Sequence, residues 1–189
     1  MKQDNPAIHS FTNISQLMHY LQQPAPLHPL IALVNYDDVI LSAFEKNQKI
    51  SIDFYKISFK TNFKGLVKYG QGYYDFEEGG LAFLKPKQIV ISSENLDSYE
   101  GYSLYFHPDF IRNYPLGNSI IQYGFFLMLF LKACFCLQKK IIRNLFETIA
   151  GELENNIDNF SQDVLVSQIE LLLNYSNRFY NRQFITRKT

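Results

Sequence analysis

Lys49 to Lys60 reads KISIDFYKISFK. Its residues alternate with the two-residue period of a strand: Ile50, Ile52, Phe54, Lys56, Ser58 and Lys60 share one side, and Ser51, Asp53, Tyr55, Ile57 and Phe59 the other. The pattern is amphipathic at first and blurred later, as expected of a strand crossing from one environment to another. Outward from it, residues 30 to 107 keep the same character. β-Branched and aromatic residues alternate with polar ones, and Gly, Pro, Asn or Asp stand at the breaks. Gly70, Gly72, Gly79 and Gly80 separate short apolar pieces, Pro86 precedes QIVI, and GYSLYFH closes the series. Glycines in such places admit the bulged or left-handed backbone of sharply coiled strands. About six to eight strands at this spacing predict a small antiparallel barrel or sandwich.

The period changes on either side of this region. Before it, Asn13 is placed to cap a short helix with Ile14, Leu17, Met18 and Leu21 on one face, and the prolines of PAPLHP end that helix. After Pro108, the residues Ile142, Leu145, Phe146, Ile149 and Leu153 follow helical spacing. Asn159 and Gln162 have the spacing of a capping box opening a further helix, along which Leu165, Ile169, Leu172, Leu173 and Phe179 form one stripe. The expected fold is α+β: residues 1–29 an arm and short helix, 30–107 a small antiparallel barrel or sandwich, 108–189 a helical segment.

The chain has 189 residues, of which 47% are apolar and 30 are Phe or Tyr, enough for a substantial core and against wholesale disorder. Lys plus Arg balances Asp plus Glu at 18 each, so no global field draws nucleic acid or an anionic membrane. The N-terminal MKQDNPAIHSFTN lacks a signal-peptide core, and the apolar run around Phe125 to Leu131 is too short to span a bilayer. A cytoplasmic location without membrane contact is the expectation.

No arrangement of reactive side chains stands out. His9, His19, His28 and His107 form no H-x-H pair, so no metal and no other cofactor is expected. His107, before a proline at a strand end, reads as a turn-fixing residue with Asp109 capping a short helix. Asp75, Glu77 and Glu78 read as a solvated hairpin turn beside Gly79 and Gly80, and Cys134 and Cys136 as inert, partly buried thiols. No catalytic residue is assigned. Tyr36, Tyr55, Tyr69, Tyr73 and Tyr105 are the candidate lining of a small-molecule site, since tyrosine offers both an apolar wall and a hydroxyl. The basic tail with Arg178, Arg182, Arg187 and Lys188 reads as a linker, without sequence-specific DNA binding by this chain.

GYSLYFHPDFIRNYPLG, residues 101–117, closely resembles the end of the cupin-like sensor domain in AraC-type transcriptional regulators, in the form common in Bacteroidetes; the matching residues are Phe106, His107, Pro108, Asp109 and Phe110. HPLIALVNYDD, YYDFEEGGLAFLKPKQIV and IDNFSQDVLVSQIELLLNYSNRFYNRQFITRK resemble three further segments in the family's order. The resemblance implies an effector-sensing and dimerisation half, with a cupin-like antiparallel barrel over residues 30–107, a helical dimerisation and linker segment over 108–189, and a helix-turn-helix unit beyond it that this chain lacks. It is then a truncated or orphan regulator and not an enzyme, with a small-molecule effector in the barrel and a homodimer through Leu165, Ile169, Leu172 and Leu173. Packing of that stripe on its own barrel is the alternative. Any residual regulation needs mixed dimers with a full-length paralogue. Relatives follow the paired Phe with a more polar stretch than Leu127 to Ala133, LMLFLKA, a segment that two compensating frame shifts would produce. Other readings are a cupin-fold enzyme such as a sugar isomerase or epimerase, or a nonfunctional gene remnant.

Overall fold

The computed structural model describes residues 8–39, 48–61, 66–69, 72–75, 80–91, 100–128, 130–132, 136–155 and 158–185. In chain order the elements are β1 (Ile8–Phe11), α1 (Ile14–Tyr20), β2 (Ile31–Asn35), β3 (Lys49–Ile52), β4 (Tyr55–Thr61), β5 (Leu66–Tyr69), β6 (Gly72–Asp75), β7 (Gly80–Leu84), β8 (Ile89–Ile91), β9 (Glu100–Phe106), α2 (Pro108–Ile111), α3 (Pro115–Ser119), α4 (Phe125–Met128), β10 (Phe130–Lys132), α5 (Cys136–Glu154) and α6 (Ser161–Ile185). The class is α+β, with sheets that are antiparallel except for the parallel pairing of β1 with β3, followed by helices.

Residues 49 to 60 form two strands in two sheets, where the alternation alone predicted one. β3 lies in a three-stranded sheet ordered β1-β3-β8, and β4 in a five-stranded antiparallel sheet ordered β10-β7-β4-β9-β2. The bend falls at Asp53 and Phe54. It holds because its backbone groups are taken up, Asp53 N–H donating to Phe11 O at 3.0 Å and Lys87 N–H to Ile52 O at 2.7 Å, while the Phe54 ring is fully buried. The blurred alternation of the segment is the mark of this corner.

Two cores lie on opposite faces of the five-stranded sheet. On one face Tyr55, Ile57 and Phe59 of β4, Leu81 and Phe83 of β7, and Leu104 and Phe106 of β9 pack against the helices, with Phe125, Ile142, Phe146 and Ile149 among their partners. Aromatic pairs tie this layer together: the Phe83 and Phe125 centroids lie 4.2 Å apart and those of Phe59 and Phe146 6.1 Å. Each such pair adds about 0.5–1.5 kcal/mol beyond its burial. On the other face Ala32, Val34, Leu84 and Tyr105 meet Ile52, Phe54, Phe11 and the buried side of α1. The three-stranded sheet and α1 thus cover the side that the helices leave.

Local signals set the ends of the helices. Asn13 accepts from Gln16 N–H at 2.9 Å and caps α1. At α6 the cap is Asp158 and not Asn159: its Oδ1 accepts from Phe160 N–H at 2.8 Å and Ser161 N–H at 2.9 Å. Gln162, free of a capping duty, donates from its amide to Phe110 O at 2.8 Å and joins α6 to α2. A carboxylate one residue earlier is the better acceptor for the orphan amides, since a charge-assisted hydrogen bond is the stronger kind. Within Leu127 to Ala133, residues 130–132 form β10, the edge strand beside β7; residues 129 and 133, together with Cys134, Glu77, Glu78, Gly79, Arg187 and Lys188, lie outside the described residues.

Candidate functional site

Because strand residues alternate, β4 sends Tyr55, Ile57 and Phe59 toward the helices and Lys56, Ser58 and Lys60 toward the second core. The register places Ser58 opposite Ser103 of β9 and Ala82 of β7, Lys56 opposite Tyr105 and Leu84, and Lys60 opposite Gly101 and Gly80. The glycines on both sides leave Lys60 without a bulky cross-strand neighbour. Tyr36, in the single 3-10 turn after β2, reaches the same face. That turn is fixed by Asn35, whose side chain accepts from Asp37 N–H at 3.2 Å.

These side chains form a dry polar chain. The Tyr36 hydroxyl donates to Ser58 Oγ at 3.0 Å, and Ser58 Oγ lies 3.2 Å from Ser103 Oγ. All three residues are buried, with Ser103 and Ser58 at 0% and 1% exposure, so the hydroxyls satisfy one another in place of water. Lys60 Nζ stands 5.8 Å from the Tyr36 ring centroid and Lys56 Nζ 5.3 Å from that of Tyr105, both within the range of a cation–π contact. Burial pushes the Tyr36 hydroxyl above its usual range; the attraction of Lys56 opposes that, Tyr105 adds to it, and hydrogen bonds to the two serines oppose it. Tyr36 therefore stays a protonated donor. Burial, and then repulsion from Lys56, bring the Lys60 amine down to about 7 from 10.5.

That depression fixes a pH dependence. Between about 7 and 10.5 the unfolded chain holds a proton at Lys60 that the folded chain does not, so stability rises with pH across this window and is flat in this respect below it. The slope reaches at most about 1.4 kcal/mol per pH unit for one proton. Urea denaturation of the wild type and Lys60→Met from about pH 6 to about pH 9 should show a rise that the variant lacks. Parallel profiles would mean that Lys60 is solvated.

Of the tyrosines expected at a ligand site, the structure brings Tyr36 and Tyr105 together on this face. Tyr55, as an odd-numbered residue of β4, points to the helices, where its ring lies 5.2 Å from Phe106 and 5.4 Å from Phe126. Tyr69 and Tyr73 stand on the β5–β6 hairpin, opposite Gly72 and Lys68 respectively. Lys56, Ser58, Lys60 and Ser103 were missed. Polar residues at every second position read as a solvent-facing strand side, and only the glycines at 80 and 101 hinted that side chains from β4 fill the space there.

Phe106 ends β9, fully buried. His107 caps α2, its Nδ1 accepting from Asp109 N–H at 3.2 Å, while its own N–H donates to Leu30 O at 2.8 Å. Pro108 opens that helix, where its missing N–H costs nothing, and Asp109 bonds Arg112. Phe110 is buried in the helical core. The FHPDF stretch is therefore the hinge between sheet and helices, set apart from the polar chain.

Leu165, Ile169, Leu172 and Leu173 lie along α6. All four are buried inside the protomer, in one cluster with Phe146 and Ile149 of α5 and the sheet. A stripe already covered by its own chain has no apolar area left for a second subunit. The outer side of α6 instead exposes Val164 and Leu171 at 39% and 45%, with Phe160 at 70% just before it.

A cleft of about 400 Å³ runs outside β2, between Pro24, Leu27, His28 and Leu33 and the α5 residues Leu153 and Glu154; one of about 220 Å³ adjoins it beside Phe110 and Gln162. Burial lowers the His28 pKa, and its Nδ1 accepts from Leu30 N–H at 3.1 Å. Neither cleft gathers dry polar groups as the interior does. Among the described residues no set of His, Cys, Asp and Glu could hold a metal ion, and no helix is long and apolar enough to cross a membrane.

The model of a family described as the AraC-like ligand binding domain matches residues 51–169. The match runs from β3, through the strands carrying the polar chain, into α6. No curated protein matches the chain.

Proposed function

Because the chain belongs to the AraC-like ligand-binding domain family, we propose that it is the effector-sensing part of an AraC-type transcription regulator, with its effector bound on the inner face of the five-stranded sheet beside Tyr36 and Tyr105. The observation that carries this reading is the Tyr36–Ser58–Ser103 chain flanked by two lysines inside an otherwise apolar core. A few convergent polar groups in an apolar surround are what orient a small ligand. Tyr69 and Tyr73 of the adjoining hairpin complete the lining in this proposal. The protein binds its effector without transforming it, and works in the cytoplasm.

In this reading residues 1–29 are the arm, 30–107 hold the effector and 108–189 pass the signal on. Tyr105 shares a core with Phe11, Ile14, Leu17 and Met18, so occupancy of the interior alters what the arm packs against. The same strands carry the helices on their other face through Phe59, Leu104 and Phe106. An effector with different affinities for two placements of these elements shifts the balance between them.

A thermal-shift screen of a small-molecule library against the wild type and Tyr36→Phe tests the site. A true effector raises the melting temperature of the wild type by several degrees and that of the variant by much less. Equal stabilisation of both would place the effector elsewhere, with the outer cleft along β2 the next candidate.

The regulator is proposed to act as a homodimer through the outer side of α6. Phe160, Val164 and Leu171 lie within one angular sector of that helix, and a two-fold pairing would make the patch self-complementary. Val164→Asp with Leu171→Asp should leave a folded monomer by sedimentation, because neither residue belongs to the core. An unchanged dimer mass would move the contact to another face.

A further inference from the structure

We infer that the outer edge of β2 takes up an extended, basic peptide segment of a partner protein, which adds to the five-stranded sheet as a further strand. This holds wherever the effector binds.

The register shows where this edge points. β2 ends the order β10-β7-β4-β9-β2. His107 N–H donates to Leu30 O, and the antiparallel pairing with β9 carries that parity on to Ala32 and Val34, whose backbone groups turn toward β9. Those of Ile31, Leu33 and Asn35 therefore turn outward. All five residues of β2 line the cleft of about 400 Å³. Neighbouring side chains on a strand point to opposite faces, so a space touched by consecutive residues lies along the edge and not over a face.

The chain itself begins to cover this edge and stops. His28 pairs with Ile31 in an isolated antiparallel bridge. Continued in that register, Pro26 would stand opposite Leu33 and Pro24 opposite Asn35, and proline has no N–H to give a ladder. The segment meets the chain again only past the end of β2, where the Gln23 amide donates to Asp38 O at 2.9 Å. Between these two points the outward groups of Leu33 and Asn35 have no backbone partner among the described residues. Natural edges are commonly blunted by a charge or a proline on the strand itself, and IALVN carries neither.

The walls set the chemistry of the occupant. Asp38 and, on α5, Glu154 line this cleft, Glu152 lines the adjoining one, and no lysine or arginine among the described residues lines either. Neither Asp38 nor Glu154 is in an ion pair among the described residues. His28, shared by both clefts, adds no positive charge at neutral pH, because burial lowers its pKa. Leu33 and Asn35 stand about 6.8 Å apart, the repeat of alternate residues on another strand. A peptide in extended form matches that repeat with its own N–H and C=O groups, and a lysine or arginine on it meets the carboxylates. Main-chain bonds then give the affinity and alternate side chains the selectivity. A small cation would answer the charge and leave the backbone groups unmet.

The probes are blocked heptapeptides alternating valine with arginine or valine with glutamate, and the arginine peptide N-methylated at every second residue in either parity. Amide exchange is followed by NMR. Without peptide, Leu33 and Asn35 should exchange fast while Ala32 and Val34, bonded to β9, are protected. The arginine peptide should bind saturably and slow Leu33 and Asn35 by about tenfold or more. The glutamate peptide should bind about tenfold or more weakly. Only alternate amides of an added strand face β2, so one methylated form should lose binding and the other keep it. Leu33→Pro removes an N–H that the ladder does not use and should weaken the arginine peptide about three- to tenfold. Asp38→Asn with Glu154→Gln, both exposed, gives a second reading independent of the backbone: about threefold or more weaker binding of the arginine peptide alone. No saturable binding by any peptide overturns the proposal, as does equal binding of the arginine and glutamate peptides. Binding indifferent to methylation in both parities overturns it too, since side chains alone would then make the contact. Protection of Leu33 and Asn35 that grows with protein concentration without peptide also overturns it, by giving the edge to a second copy.

Discussion

Replacing Leu165 and Leu172 together by aspartate should unfold the protomer. Both side chains are buried, at 4% and 0% exposure, in the cluster that joins α6 to α5 and the sheet. Truncating one buried leucine already costs about 2–5 kcal/mol. Putting an unpaired carboxylate in its place adds several kcal/mol more, or forces the group to take up a proton. Two such changes exceed the roughly 5–15 kcal/mol that a domain of this kind has in total. Circular dichroism should show loss of the cooperative thermal transition at neutral pH. A well-folded monomer from this variant would mean that the stripe faces another subunit after all. The outer-face pair Val164→Asp with Leu171→Asp is its counterpart, expected to keep the fold and change only the mass in solution.

Gly101→Ala is the second large effect, and its origin is the backbone. Gly101 sits in β9 at φ +119°, a conformation that side-chain-bearing residues rarely adopt, and a Cβ there would overlap the carbonyl oxygen of Phe59 on the neighbouring strand. Nothing flexible can yield, because the obstacle is main chain inside the β4–β9 ladder. A loss of about 3 kcal/mol is expected from strain together with the disturbed ladder. Gly151→Ala is the matched control: it lies on the exposed side of α5, and its added methyl would meet nothing within 4 Å. That change should raise stability by about 0.5–1 kcal/mol, since alanine is the better helix former. Denaturant titration of the two variants reads both signs at once. If Gly101→Ala costs less than about 1 kcal/mol, the strand relaxes around the methyl and the close approach is not a constraint.

Much of this architecture is visible before any coordinates. The alternation in KISIDFYKISFK sorts its residues onto two sides, and Tyr55, Ile57 and Phe59 do share one side, as Lys56, Ser58 and Lys60 share the other. The change of period at Pro108 falls where β9 gives way to α2. The apolar face of the α1 helix, with Ile14, Leu17 and Met18, is buried as its spacing predicts. Other features were beyond reach for identifiable reasons. The break of the segment into β3 and β4 depends on Phe11 and Lys87 accepting and donating at the bend, and both lie far away in sequence. The capping of α6 turned on a competition between neighbouring Asp158 and Asn159, which spacing rules do not resolve.

Periodicity records which residues lie together on one side of an element, and that much the chain states by itself: the strands, the helices, the hinge at His107 and Pro108, and the stripe of leucines. It says nothing about what stands opposite each side. Only the folded protein decided that the polar side of β4 faces inward, because the β1-β3-β8 sheet and α1 close over it, and that the α6 stripe is covered by its own protomer. Both outcomes follow from contacts between residues far apart in sequence, where an apolar stripe is equally satisfied by its own chain or another, and a lysine side reads alike whether water or a second sheet lies beyond it.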